Sequence, residues 1–156
     1  MKILIISGDD RTMGPMAGAL LRERNIPAVT AGLEAIPGRP AAPKAIQAMW
    51  ARHRLDLSGH RSRRFERHLA EDAELILCMT AADAWRVRTL YPEYRDRLSL
   101  FFGYADGLKG VYYDLPHHQA PPQELSHYMV CAEALAQAVD KIILHLQRNE
   151  RKEPTL

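Results

Sequence analysis

The start of the chain constrains its fold most. Residues 2–6 are an almost unbroken apolar run of Ile and Leu, which gives way at Ser7-Gly8 to a polar stretch ending at Pro15. Such a run suits a strand covered on both faces of a parallel sheet. Pro15 stands where proline is welcome in a first helical turn, and Met16, Ala19, Leu20 and Leu21 follow with helical spacing. The unit reads as strand, loop, helix. Residues 26–31 read as a second strand, 32–43 as a surface loop rich in Gly and Pro, and 42–53 as a helix. A polar connection over 55–64 leads to a short helix at 65–72 and an apolar strand at 74–79. Thr80 is a good N-cap for a helix that Pro92 stops. Residues 97–102 read as a fourth strand, 103–123 as a long loop, and 123–147 as a final helix with apolar positions Met129, Ala132, Leu135, Val139 and Ile142. Strands alternating with helices imply right-handed crossovers in a doubly wound α/β sheet, which takes its ligands at the carboxyl ends of the strands. The loop from Ser7 to Pro15 lies at such an end.

With 156 residues, 47% of them hydrophobic, one domain can bury a full core. Residues 1–148 are expected to form it, and 149–156 a charged, frayed tail. The net charge of +2 balances 21 Lys and Arg against 19 Asp and Glu, which argues against a nucleic-acid partner. The two cysteines, Cys78 and Cys131, have neither disulfide nor metal-ligand spacing, so a reducing cytoplasm is expected. The opening apolar run is too short for a membrane span and is followed by no cleavage signal, so neither a membrane partner nor a signal peptide is expected.

Six segments then become specific: Ile3-Leu4-Ile5-Ile6, Gly14-Pro15-Met16-Ala17, Ala31-Gly32, the stretch from Asp56 to Arg63 containing Ser58-Gly59-His60-Arg61, Leu75-Ile76-Leu77-Cys78-Met79, and Asp114-Leu115-Pro116. In order and spacing the chain resembles, from end to end, the low-molecular-weight protein tyrosine phosphatase family and its related arsenate reductases. The resemblance implies a three-layer α/β fold, a four-stranded parallel sheet flanked by helices. It also implies a phosphate cradle after the first strand. In the family a thiolate there attacks phosphorus, an arginine clamps the equatorial oxygens, and a later aspartic acid protonates the leaving group.

Aligned on Pro15-Met16-Ala17, the nucleophile position holds Ser7, the arginine position Met13 and the following hydroxyl position Gly14. The general-acid position falls on His117, and His118 replaces the proline after it. A serine hydroxyl is a poor nucleophile without a base. Losing one transition-state donor costs about 10²- to 10³-fold in rate, and losing the acid roughly 10²- to 10⁴-fold more. Asp9 and Asp10 add carboxylates to a loop that must accept a dianion. The expectation is a family member without the family's activity, a binding or regulatory module for a protein or small ligand at Gly8, Asp9, Asp10, Arg11, Thr12 and Gly14. A loop shifted to use Arg11-Thr12 is a minor alternative.

His60 occupies the stretch that, in the family, braces the cradle through an asparagine. That position holds Asp10, so a structural His60–Asp10 hydrogen bond is expected. A second reading is an enzyme of altered chemistry, with Asp9, Asp10, His117 and His118 around a divalent cation and a phosphorylated or small substrate. Exposed loop histidines are the simpler account, and no cofactor is expected. Residual phosphatase activity would be a third reading. The basic run from His60 to His68 could attract an acidic protein, a nucleic acid or a phosphorylated ligand, although a solvated face explains it more simply. Tyr112, Tyr113 and Tyr128 are read as packing residues.

Overall fold

Strand β1, Ile3–Ser7, is buried along its whole length and pairs in parallel with β2, Ala28–Gly32, on one side and β3, Leu75–Cys78, on the other. β4, Leu98–Leu100, joins beyond β3, giving the order β2-β1-β3-β4. A central strand in such a sheet must be apolar on both faces, and β1 divides its side chains between them. Ile3 and Ile5 enter one core with helices α1 (Met13–Glu23), α2 (Pro43–His53), α5 (Phe101–Ala105) and α6 (Leu125–Lys152). Leu4 and Ile6 enter the other with α3 (Arg67–Glu71) and α4 (Ala81–Leu90). The result is the expected three-layer α/β fold with a four-stranded parallel sheet. The computed structural model describes residues 1–113 and 123–152. Among them no helix is long and apolar enough to cross a membrane.

Several boundaries differ from the sequence reading, each for a packing reason. The second strand begins at Ala28 because Ile26 closes α1: its amide donates to Leu21 O at 3.0 Å, with Asn25 in the left-handed region at φ 61°. The helix expected over 65–72 shortens to α3 because the preceding segment pairs with the end of β2, Gly32 opposite Arg64. The fourth strand stops at Leu100. Phe101 to Ala105 form α5 and are all buried, since a continuous apolar run serves a strand or a buried helix equally. A 3-10 turn over Pro92–Arg97 precedes β4. The final helix runs to Lys152, so the boundary drawn at 148 falls inside it; Asn149 Nδ2 donates to the Tyr104 hydroxyl at 3.3 Å. As expected, Thr80 caps α4, its Oγ1 accepting from Asp83 N at 3.2 Å.

Candidate functional site

The loop after β1 is framed by backbone bonds that reach far along the chain. Leu33 N donates to Ser7 O at 3.0 Å, Glu34 N to Gly8 O at 2.8 Å, and Ala42 N to Arg11 O at 2.8 Å. Gly32 permits this closeness, since a Cβ there would lie 2.6 Å from Gly8 O. Helix α1 starts at Met13, two residues before Pro15, with Thr12 at the N-cap making no side-chain cap.

Inside that frame the side chains turn on the loop itself. Ser7 is 6% exposed, and its Oγ accepts from Asp10 N at 3.2 Å. Gly14 makes room for this hydroxyl, because a Cβ at Gly14 would stand 2.9 Å from Ser7 Oγ. Asp9 is exposed, and its Oδ1 accepts from Arg11 N at 3.0 Å, so a carboxylate of the chain takes one amide of the loop. Arg11 Nε donates to Pro40 O at 2.8 Å. Met13 packs half-buried against the larger core.

Asp10 is wholly buried at φ 58°, a left-handed conformation that Asp tolerates better than most residues. Its Oδ2 accepts from Arg63 N at 2.8 Å, while its Oδ1 meets no hydrogen-bond partner among the described residues. Burial raises the carboxyl pKa, opposed by Thr30, by the Arg63 amide and by the charges of His60 and Arg63. Thr30 steadies the charge without completing a bond to Oδ1. The His60 brace forms, but on the backbone: Nε2 donates to Asp10 O at 2.7 Å and lies 3.7 Å from Oδ2. A carbonyl only accepts, so His60 carries its proton on Nε2.

Asp9 and Asp10 therefore do not converge. One faces solvent above the loop, while the other is enclosed beside Arg63. The four-residue cation site weighed as a second reading of the sequence has no converging carboxylate pair, and no metal-holding cluster of three His, Cys, Asp or Glu exists among the described residues. Adjacent residues in a turn, one with positive φ, project in different directions, which adjacency in the sequence conceals. His117, His118 and Asp114 lie outside the described residues. Cys78 is buried, its pKa pushed well up by desolvation and then by Asp83, and Cys131 is half-buried.

Three participants were not singled out for this loop in the sequence. Arg63 holds Asp10 through its amide, Thr30 acts on the same carboxyl, and Tyr128 on α6 feels the charges of Asp9 and Arg11. Burial raises the Tyr128 pKa, with the Asp9 charge adding and Arg11 opposing. No local spacing signals them, since each arrives from a different element. A strand-ending loop with closely approached glycines, ahead of a helix and braced by a distant histidine, stands where the sequence reading places the cradle.

The model of the low molecular weight phosphotyrosine protein phosphatase family matches residues 2–152, and the chain belongs to that family. It is 35% identical over 92 residues to a probable low molecular weight protein-tyrosine-phosphatase, EpsP, of Ralstonia nicotianae, covering 58% of this chain and 63% of that protein. The match thus spans less than two thirds of that relative's length. In structure the chain is similar to the YwlE arginine phosphatase of Geobacillus stearothermophilus, at TM-score 0.84 and 20% identity over 99% of this chain and 98% of that one. It is also similar to a cysteine-to-serine mutant of YwlE with a phosphorylated active-site serine, at TM-score 0.82 and 26% identity over 98% and 100%.

Proposed function

We propose that this chain is a catalytically inactive member of its family, a cytoplasmic binding or regulatory module that keeps the shape of the cradle without its chemistry. The observation that carries this reading is the inward turn of Ser7: its hydroxyl is engaged by the amide of Asp10 and almost closed to solvent. Phosphoryl transfer needs a deprotonated nucleophile aimed at phosphorus and cationic groups around the equatorial oxygens. Among the described residues the Ser7 hydroxyl bonds an amide and no base, Met13 supplies no cation, and Asp9 occupies a loop amide with a carboxylate. The phosphorylated serine of the YwlE mutant shows that a serine in that protein's site carries phosphate. That precedent makes phosphorylation of Ser7 the most direct challenge.

The test is hydrolysis of para-nitrophenyl phosphate and of phosphoarginine, with mass spectrometry of the protein afterwards. The expected result is no turnover above a Ser7→Ala variant and no added phosphate on Ser7. Turnover lost on Ser7→Ala would overturn the proposal. The combined variant Ser7→Cys, Met13→Arg and His117→Asp is expected to gain phosphatase activity if the frame alone was retained.

A further inference from the structure

Beside the cradle, two loop segments are fastened so that Arg39 comes to stand beside Arg61 and Arg63, with Arg64 next in the chain. Ser62 is the fastening. It is 4% exposed, its Oγ donates to Ile36 O and accepts from Arg39 N at 2.9 Å, and its amide donates to Arg39 O at 2.7 Å. Gly38 N completes the contact by donating to Ser62 O at 2.9 Å. Arg39 is thereby locked beside Ser62, between Arg61 and Arg63. Because the side chain of Ser62 turns inward, its two neighbours leave the other way, and Arg39, Arg61, Arg63 and Arg64 are all exposed.

None of the four has a carboxylate within ion-pair distance among the described residues, whereas Arg52, Arg67 and Arg86 each have one and Arg24 has two. The nearby acids are committed elsewhere, Glu34 to Arg86 and Glu66 to His68. Arg61 spends one nitrogen on the Ser58 and His60 carbonyls, and Arg63 only senses the buried charge of Asp10. Exposed cations this close repel one another, and a solvated face is usually relieved by interspersed acids.

The backbone supplies the second observation. Gly32 N donates to Arg63 O at 2.8 Å and Phe65 N to Gly32 O at 3.0 Å, so Arg64 extends the sheet by one position outside β2. In that pairing the amide and carbonyl of Arg64 itself point away from Gly32, and neither meets a protein group among the described residues. The same side is taken at Ser62 by Gly38 and Arg39, which leaves the Arg64 amide and carbonyl as one open donor–acceptor pair beside the arginines.

We propose that this surface binds an acidic peptide segment of a partner protein, which places one backbone group on Arg64 and sets Asp or Glu carboxylates against Arg39, Arg61 and Arg63. Guanidinium forks match planar carboxylates in pairs. The cations are spread along two chain segments instead of converging on one dianion. The inference rests on the reading of the chain as a binding module, but uses a surface outside the cradle.

The test is fluorescence anisotropy of the full chain with a labelled peptide of alternating Glu and Ser at about 50 mM salt, where surface charges act over more than 10 Å. Binding is expected, and Arg39→Gln, Arg61→Gln, Arg63→Gln together should weaken it on the order of tenfold or more, with an unchanged circular dichroism spectrum. Arg52→Gln, Arg54→Gln on α2 should leave it within about twofold. No binding, or equal loss in the two variants, overturns the proposal. So does tighter binding of a single-stranded oligonucleotide of equal charge, which would make this a nucleic-acid surface. A phosphoserine version binding more than about tenfold tighter would assign the surface to phosphopeptides and overturn the carboxylate assignment. Phosphatase turnover in the same preparation would sink the reading of the cradle while leaving the peptide result to stand or fall separately.

Discussion

Two strand-to-helix turns at the carboxyl edge of the same sheet are built on opposite principles. After β3 the chain enters α4 through Met79 and Thr80, and the hydroxyl of Thr80 both accepts from Asp83 N and donates to Asp83 Oδ2. The cap of that turn is closed by two residues three positions apart. After β1 the chain takes five residues to reach α1, with no side-chain cap, a non-glycine residue at positive φ and a buried carboxylate oxygen without a partner. Its shape is held instead by groups about 30 to 50 positions away, at Glu34, Ala42, His60 and Arg63. A turn that serves stability alone closes locally; a turn kept for a ligand is held open from outside, at a cost in strain and desolvation. The loop after β1 has the second kind of construction, with Ser7, Asp9 and Met13 inside it.

The largest way to break this comparison is at the long-range brace. His60→Ala removes the donor to a buried carbonyl and is expected to cost about 1–3 kcal/mol in denaturant unfolding, more than any single change in the β3 turn. A loss of only a few tenths would mean that the loop holds itself. Next comes Asp10→Asn, which keeps the shape and the Arg63 contact, removes the buried charge, and places a donor at the unpartnered position. Burial raises the Asp10 pKa above its ordinary value of 3.8. The native carboxyl therefore adds stability that is fully present below 3.8 and is lost as pH rises through the folded value. The Asn variant should be the more stable at pH 7, by a few degrees in Tm on the scale of roughly 2–4 °C per kcal/mol, and the difference should shrink in acid. A variant less stable at pH 7 would show that the charge itself holds the loop. The smallest effect is expected at the local turn, where Thr80→Ala should cost about 1 kcal/mol and leave the loop after β1 untouched.

The fold was legible because each of its signals is local. The apolar run at Ile3 to Ile6, the helical spacing after Pro15, and Thr80 before α4 each specify an element without help from the rest. Where one apolar run served two structures, as from Leu98 to Ala105, the sequence could not place the change from β4 to α5. The cradle was legible in outline, since a glycine-bearing loop between strand and helix marks itself. Its interior was less so: Asp9 and Asp10 read as a pair and separate in space, and the sequence did not say that the expected His60–Asp10 bond would form on the Asp10 carbonyl.

The sequence by itself determined the order of strands and helices, and which residue types stand at Ser7, Met13 and Gly14, because hydrophobic period and residue chemistry are properties of the chain alone. Only the tertiary structure decided which way those side chains face. The direction of Asp10 depends on Arg63 and His60, that of Ser7 on the room left at Gly14, and Arg39 stands beside Arg61 and Arg63 because Ser62 ties two distant loops together. Contacts across tens of residues are set by packing, and no spacing along the chain encodes them.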